Sequence, residues 1–275
     1  MIKPWRGKQM TRIHKVMNCK DFDEKKFVPG SFGSPKVDGV RAFFYPTEPY
    51  LLSRDNKPLR GFDHIIQIFR DHGVLDTVDM EIWIPRMANW NVMAGAIRNH
   101  SLVPNARASI LDIPSHPLNF IDRLHGVYTL SRMSTFFDAY HQVRLTTVDE
   151  VHELYRRAIE ASFEGLVVKT PDHRYRDTRS YDWMRMVPIH SEDCKVLGVY
   201  EGKGKMAYIA GGLFIDFKGI RCKVGTMKGM TYGDRAELWE NQDKYIGMTC
   251  EVEYKELQPS GKPRQPRFKG WRYDK

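Results

Sequence analysis

The chain has 275 residues, 41% of them hydrophobic, enough for one large domain or two smaller ones with a true core. Its formal net charge of +9 favours an anionic partner: nucleic acid, nucleotide or acidic membrane. No apolar run nears the ~20 residues that span a bilayer, and the basic residues 1–8 lack the apolar segment of a secretory signal. The cysteines, Cys19, Cys194, Cys222 and Cys250, form no CxxC pair; a structural zinc site and a disulfide framework are not expected, and a reducing cytoplasm is.

In chain order, residues 1–35 are basic and turn-rich, with Pro4, Pro29, Gly30 and Gly33, and read as a peripheral arm. His14 and Cys19 lack a second ligand pair at metal-binding spacing and read as structural or exposed. The stretch Ser34-Pro35-Lys36-Val37-Asp38-Gly39-Val40-Arg41 then sets one lysine among β-prone residues, with an acid, a glycine and an arginine close behind. Neighbouring cations or desolvation lower a lysine's pKa and make its amine a nucleophile. Residues 40–45 predict a strand, 47–49 a turn and 50–53 a second strand, a hairpin that returns Arg54 toward Lys36. Asp63 reads as the N-cap of a helix with apolar face Ile65, Ile66, Ile68 and Phe69, stopped by Gly73. Residues 78–84 alternate as a strand around Glu81; an acid there needs a partner or a solvent-facing pleat. Residues 89–99 read as a short helix or turn, 108–113 as a strand with Asp112 near its end, and 131–141 as a helix. Thr147-x-x-Glu150 is a capping box opening a helix through about Ala161. A strand over 163–169 follows, with Glu164 before it and Lys169 at its end, then a basic loop over 173–179 and Asp182-Trp183-Met184-Arg185.

Near Pro188 the character changes. Strands at 195–200, 212–217, 220–224, 248–254 and 268–273, with one helix at 234–239, suggest a small OB-type barrel. The expected fold is α+β: a first domain, 1–188, of antiparallel sheets with helices, and an OB-fold domain, 189–275.

The motifs, taken together, resemble those of ATP-dependent DNA ligases within the covalent nucleotidyltransferases, from about residue 30 to the end. Lys36-Val-Asp38-Gly39-Val-Arg41 is similar to the nucleophile motif and Ser53-Arg54 to the next element. Asp79-Met80-Glu81 resembles an Asp-Gly-Glu element. Residues 90–98, with Gly95 and Arg98, resemble a helix segment of DNA ligases, and Ile110-Leu111-Asp112 stands where the family has an aromatic followed by Asp. Glu164-Gly165-Leu166-Val167-Val168-Lys169 is nearly a full match to another element. Arg272-Tyr273-Asp274-Lys275 matches Arg-x-Asp-Lys, and residues 264–271 before it resemble ligase C-termini. The chain departs at Leu111, where a stacking aromatic is usual, at Met80 in place of glycine, and at Arg185-Met186-Val187 in place of Lys-x-Lys, a gap that Arg179 or Lys195 could fill.

The resemblance implies a nucleotidyltransferase (adenylation) domain followed by an OB fold, of the minimal two-domain outline found in viruses and bacteria. It implies sealing of 5′-phosphate/3′-hydroxyl nicks in duplex DNA through a lysyl-AMP intermediate, with ATP as substrate and Mg²⁺ or Mn²⁺ as metal. Lys36 would be the nucleophile. Ser34, Pro35, Arg41, Arg54, Glu81, Leu111, Lys169, Arg185, Arg272, Asp274 and Lys275 would bind the nucleotide, and Asp38, Glu81 and Glu164 the metal. Candidates for the DNA backbone are Arg54, Arg98, Arg174, Arg176, Arg179, Lys203, Lys205 and Lys228. At this length no N-terminal DNA-binding domain, zinc module or BRCT-like tail is expected. The partner would be nicked duplex DNA and not a membrane, the chain a monomer, and its place the cytoplasm, of a host cell if the chain is virus-encoded. An RNA ligase, a GTP-dependent capping guanylyltransferase, or a nucleic-acid-binding protein with a degenerate nucleotide site are the alternatives.

Overall fold

The Lys36 motif begins as a strand, Ser31–Lys36, whose residues alternate between two faces of a sheet. In this computed structural model, which describes residues 16–85, 95 and 102–273, the chain divides into two compact units, Met1–Met186 and Val187–Lys275. The basic residues 1–15 with His14, the segment over 90–98 apart from Gly95, and Asp274 and Lys275 lie outside the described residues.

The first unit holds two sheets. In one, the strands run Asn18–Asp21, Arg179–Met186, Gly165–Lys169, Ser31–Lys36, Val143–Leu145. Lys36 pairs with Gly165 and Phe32 with Lys169. Residues 18–21 and 31–35 are therefore sheet strands and not a peripheral arm. Asn18–Asp21 lies parallel to Arg179–Met186, a pairing between segments some 160 residues apart that no local pattern announces. Behind this sheet lies the helix Val148–Glu160, started by the expected capping box: Thr147 Oγ1 accepts from Glu150 N at 3.2 Å, and the Glu150 carboxylate accepts from Thr147 N at 3.3 Å. Leu145, Val151, Leu166, Val168 and Met184 pack there. Period-two alternation leaves Phe32, Ser34, Lys36, Val167, Lys169, Trp183 and Arg185 on the other face.

The second sheet runs Pro58–Leu59, Leu51–Ser53, Val40–Phe44, Val78–Trp83, Arg107–Asp112, Phe137–Asp138. Arg41 stands opposite Glu81, and Phe43 opposite Asp79. The helix Asp63–Asp71 has Phe62, not Asp63, at its N-cap, and buries Ile65, Ile66 and Phe69. The helix expected over 131–141 is absent. A helix spans Phe120–Ser131 instead, and Phe137–Asp138 is a short strand parallel to Arg107–Asp112. Gly126 sits inside that helix because a Cβ there would come within 2.6 Å of Ile113 Cδ1.

The second unit is built on one sheet in the order Ile220–Val224, Ala210–Phe217, His190–Glu201, Thr249–Tyr254, Arg267–Arg272, Thr226–Met227. Register shifts at Val196/Gly198 and Tyr200/Glu201 bend the long His190–Glu201 strand, as bulges do at barrel rims. Leu213, Ile215, Phe217, Val252 and Phe268 fill its core. The expected helix is longer, Tyr232–Glu240, and Gln242–Tyr245 adds a short turn of helix. Among the described residues no helix is long and apolar enough to cross a membrane.

Candidate active site

Lys36 ends its strand with Nζ hydrogen-bonded to the Glu164 carboxylate, and Glu164 N donates to Lys36 O at 3.0 Å. The side chains are 23% and 28% exposed, so the pair is reachable from solvent. Burial works against the Lys36 charge, but Glu164 and Glu81 outweigh it and hold the ammonium above the usual lysine range. The expected lowering is thus reversed: the cation that could have lowered it, Arg41, is neutralised locally by an acid of its own.

That acid is Asp79. Arg41 Nε donates to Asp79 Oδ1 at 2.9 Å, Tyr175 Oη donates to Asp79 Oδ2 at 2.8 Å, and the guanidinium lies 5.1 Å from the Trp183 ring centroid. Because Arg41 belongs to the second sheet and Trp183 to the first, this contact shows that the two described faces look at each other. Glu81, one pleat repeat from Asp79, shares that face. Burial raises its carboxyl to about 7, with Glu164 and Asp79 adding to burial and Lys36 and Arg41 opposing it. Gly39 lets the motif loop lie against this strand, since a Cβ there would stand 2.9 Å from Glu81 Cγ.

Leu111 is half-buried, and its carbonyl accepts from Lys169 Nζ at 2.7 Å. Lys169 is 2% exposed, with its ammonium 4.1 Å from the Trp183 ring centroid and 4.6 Å from that of Phe120; burial brings its pKa down to about 8. Four residues along the ladder from the Lys36–Gly165 pair, roughly 13 Å, it stands away from Glu164. Next to Leu111, the Asp112 carboxylate takes two bonds from Arg123, at 2.7 and 2.9 Å, both side chains fully buried. Arg123 Nη1 also donates to His173 O at 3.2 Å. His173 Nδ1 bonds Thr170 O at 2.6 Å and its Nε2 accepts from Trp183 Nε1 at 2.8 Å, which fixes a neutral ring.

Of the other expected residues, Ser34 is buried beside Val167, and Pro35 and Asp38 are half-buried. Arg54 is 61% exposed on the turn after its strand, 3.9 Å from Asp55. Arg185 binds Asp21 Oδ1 through Nε at 2.9 Å. Arg174, Arg176 and Arg179 are exposed, and Arg176 pairs with Asp182. In the second unit Lys203, Lys205 and Lys228 are exposed, Lys228 3.6 Å from Glu253. Arg272 binds Asp193 at 3.0 Å and Glu251 at 3.2 Å. Arg98, Asp274 and Lys275 lie outside the described residues. Among those described, no cluster of three or more His, Cys, Asp or Glu could hold a metal.

Sequence reasoning missed Arg123, His173, Tyr175 and Trp183, and gave Asp79 no role of its own. Asp79 was findable, being two residues from Glu81 on one strand. Cys19 is half-buried on the strand Asn18–Asp21, opposite Ser180 on the strand that carries Trp183 and Arg185.

Comparison with known proteins agrees with this geometry. The family described as ATP dependent DNA ligase domain matches residues 118–186 and that described as DNA ligase OB-like domain matches residues 201–272, together just over half of the chain. A DNA ligase of Haemophilus influenzae is 23% identical over 252 residues, 90% of this chain and 88% of that one. The DNA ligase of Enterobacteria phage T4 is 26% identical over 117 residues, 40% of this chain and 24% of the phage protein. Among solved structures, a Lig E DNA ligase matches with a TM-score of 0.78 at 23% identity, over 94% of this chain and 99% of that one. The bacteriophage T7 ATP-dependent DNA ligase matches with 0.56 at 17% identity, over 94% and 99%. At these identities the structural likenesses speak for the fold, which is the α+β nucleotidyltransferase type with an OB-like second unit. With two ligase domains matched in succession and a relative aligned along nearly its whole length, this chain is an enzyme of the ATP-dependent DNA ligase family.

Proposed function

We propose that Lys36 takes AMP from ATP and passes it to the 5′-phosphate of a nick in duplex DNA, which the 3′-hydroxyl then seals. The observation that carries this reading is the Lys36–Glu164 pair on one sheet, facing Arg41, Asp79 and Glu81 on the other. In the first step the Lys36 amine forms a bond to the α-phosphorus, the bond to the pyrophosphate oxygen breaks, and pyrophosphate leaves with the electron pair. Glu164, already bonded to the ammonium, accepts the proton that must leave before attack. Next, a 5′-phosphate oxygen of the DNA attacks the same phosphorus and the P–N bond breaks, returning the lysine. Finally the 3′-hydroxyl oxygen attacks the DNA phosphorus and AMP departs. Catalysis of such transfers rests on positioning and charge stabilisation.

Asp38, Glu81 and Glu164 would hold Mg²⁺ or Mn²⁺, which supplies positive charge to the phosphates. All three are carboxylates, the donor type a hard cation takes, but they form no ready-made three-ligand cluster, so an ion here would complete its shell with phosphate oxygens and water. Burial, with Glu164 and Asp79 adding to it, raises Glu81 to about 7, and a divalent ion beside it would favour its charged form. Glu81 also serves the ribose hydroxyls. Ser34, Pro35, Arg41 and Arg185 shape the nucleotide pocket, Leu111 covers the adenine, and Lys169 fixes the Leu111 backbone. Arg272, Asp274 and Lys275 serve the adenylation step. Phosphates of the DNA meet Arg54, Arg98, Arg174, Arg176, Arg179, Lys203, Lys205 and Lys228, so affinity falls steeply with salt. The division of labour is an adenylation domain over 1–188 and an OB domain over 189–275, in a monomer. Free thiols at all four cysteines suit a reducing cytoplasm.

The test is nick sealing. A nicked duplex with a 5′-phosphate, given ATP and Mg²⁺, is sealed. Lysine labelling by GTP in place of ATP would point to a capping enzyme, and sealing restricted to RNA nicks to an RNA ligase. No product at any enzyme concentration overturns the reading.

A further inference from the structure

The second unit carries a basic aromatic groove that the sealing chemistry does not use. It has a volume of about 450 Å³ and is lined by Phe214, Arg221, Lys223, Gln258, Lys262 and Gln265. On the strand Ile220–Val224, Arg221 and Lys223 alternate outward while Cys222 and Val224 are buried. Phe214 stands opposite Lys223 on the neighbouring strand, half-exposed where Leu213 and Ile215 beside it go into the core.

The aromatic part is built and not incidental. Tyr200 and Phe214 lie with ring centroids 5.4 Å apart. Tyr200 can lie across the sheet because Gly212 and Gly225 flank it: a Cβ at either would meet its hydroxyl, at 2.6 and 2.8 Å. The Arg221 guanidinium is 4.2 Å from the Phe214 ring centroid, and the Lys223 ammonium is 4.8 Å from that of Tyr200 and 5.1 Å from that of Phe214. Lys262 also lines the groove, in a turn where Gly261 N donates to Gln258 O at 2.8 Å.

The charge is uncompensated. Among the described residues no carboxylate forms an ion pair with Arg221, Lys223 or Lys262. Asp216, opposite Arg221 across the ladder, spends one oxygen on Gly219 N at 2.7 Å. The neighbouring Lys218, by contrast, is paired with Glu192. Cations stacked on rings, with side-chain amides beside them, match a ligand that is both anionic and planar. A nucleotide has both properties, but a base inside a duplex keeps its faces stacked on its neighbours and offers only its edges. Unpaired bases offer their faces, and stack on aromatic rings or guanidinium planes while the phosphates meet the cations.

We propose that this groove binds single-stranded DNA, holding unpaired nucleotides that flank a break. Stacking is on the Arg221–Phe214 pair, and Lys223 and Lys262 take the phosphates. The groove lies on the second unit and Lys36 on the first, and failure of the one and failure of the Lys36 chemistry are distinguishable.

The experiment is fluorescence anisotropy of the full chain with a labelled oligothymidylate of about 12 nucleotides, within the site size of an OB fold, across a salt series. Arg221→Glu and Lys223→Glu, singly and together, and separately Phe214→Leu, are compared with Lys244→Glu, which carries the same charge change as either single variant on an exposed lysine of the Gln242–Tyr245 helix. The double variant is expected to lose at least tenfold in affinity, with a salt slope shallower by about 0.7, the value for the one phosphate contact, that of Lys223, on a single strand. Phe214→Leu loses affinity with the slope unchanged. Labelling of Lys36 by α-labelled ATP and the thermal melt stay as in the parent chain. Affinity within twofold of the parent in the double variant, or an equal loss in Lys244→Glu, overturns the proposal. So does an equal or tighter binding of intact duplex that the same variants abolish, since that assigns the groove to duplex backbone.

Discussion

Replacing Arg123 by Met tests whether the buried polar network holds up the candidate site. Arg123 and Asp112 are 1% and 0% exposed, and two bonds of 2.7 and 2.9 Å join them. Without the guanidinium, Asp112 keeps the Ile113 N–H at 2.8 Å and the nearby Lys169 charge, and the His173 carbonyl loses a donor. Removing one partner of a buried pair leaves an uncompensated charge and costs about 3–5 kcal/mol. Replacing both, as Asp112→Leu with Arg123→Met, removes the stranded charge. What remains is the lost bonding of a few backbone groups, about 1–3 kcal/mol. The assay is urea unfolding followed by tryptophan fluorescence, to which Trp183, 2% exposed within the same network, contributes. With a slope of about 2–3 kcal/mol/M, the Arg123→Met midpoint falls by more than 1 M, a drop of roughly 1.0–2.5 M, and the double variant recovers part of it. A single variant within 1 kcal/mol of the parent, set against the roughly 3–5 kcal/mol above, or a double variant as unstable as the two singles summed, refutes the reasoning.

Two further outcomes follow from the same region. His173 is neutral in the fold, and burial lowers its pKa from 6.5 to about 4. Its contribution is complete above pH 6.5 and is lost as pH falls toward 4, about 3 kcal/mol in all; a pH series of unfolding free energies shows this slope, and His173→Gln flattens it. Leu111→Tyr returns a ring to the adenine-covering position. Stacking is worth ~1–3 kcal/mol, so KM for ATP in the labelling step falls at least about fivefold, and an unchanged KM removes Leu111 from the pocket.

Some of this architecture was legible before any coordinates. The Thr147/Glu150 capping box needs only residues three apart, and both reciprocal bonds form. The strand Val78–Trp83 carries its alternation in the sequence, and its pairing with Val40–Phe44 puts Arg41 opposite Glu81. Long-range pairing was not legible. Residues 18–21 look like a polar arm until the distant strand Arg179–Met186 supplies their hydrogen bonds. The helix Phe120–Ser131 buries Phe120, Leu124, Val127 and Leu130 at helical spacing, but Gly126 within it and an Asn119 N-cap that makes no side-chain bond hid the signal. The charge state of Lys36 was misjudged for a related reason. Its sequence neighbours include Arg41, yet Asp79 neutralises that arginine, and Glu164, distant in sequence, faces the amine. Lys169 likewise reads as a phosphate ligand from its motif, while the rings of Phe120 and Trp183 that enclose it come from other elements.

The central claim is that Lys36 carries the nucleotide. Incubation with α-labelled ATP and Mg²⁺, followed by peptide mapping, measures it directly. The label is expected on the peptide holding Lys36 through an acid-labile P–N bond, to be absent from Lys36→Ala, and to be released when nicked DNA is added. Undiminished labelling of Lys36→Ala, or label mapped to another residue, contradicts the account.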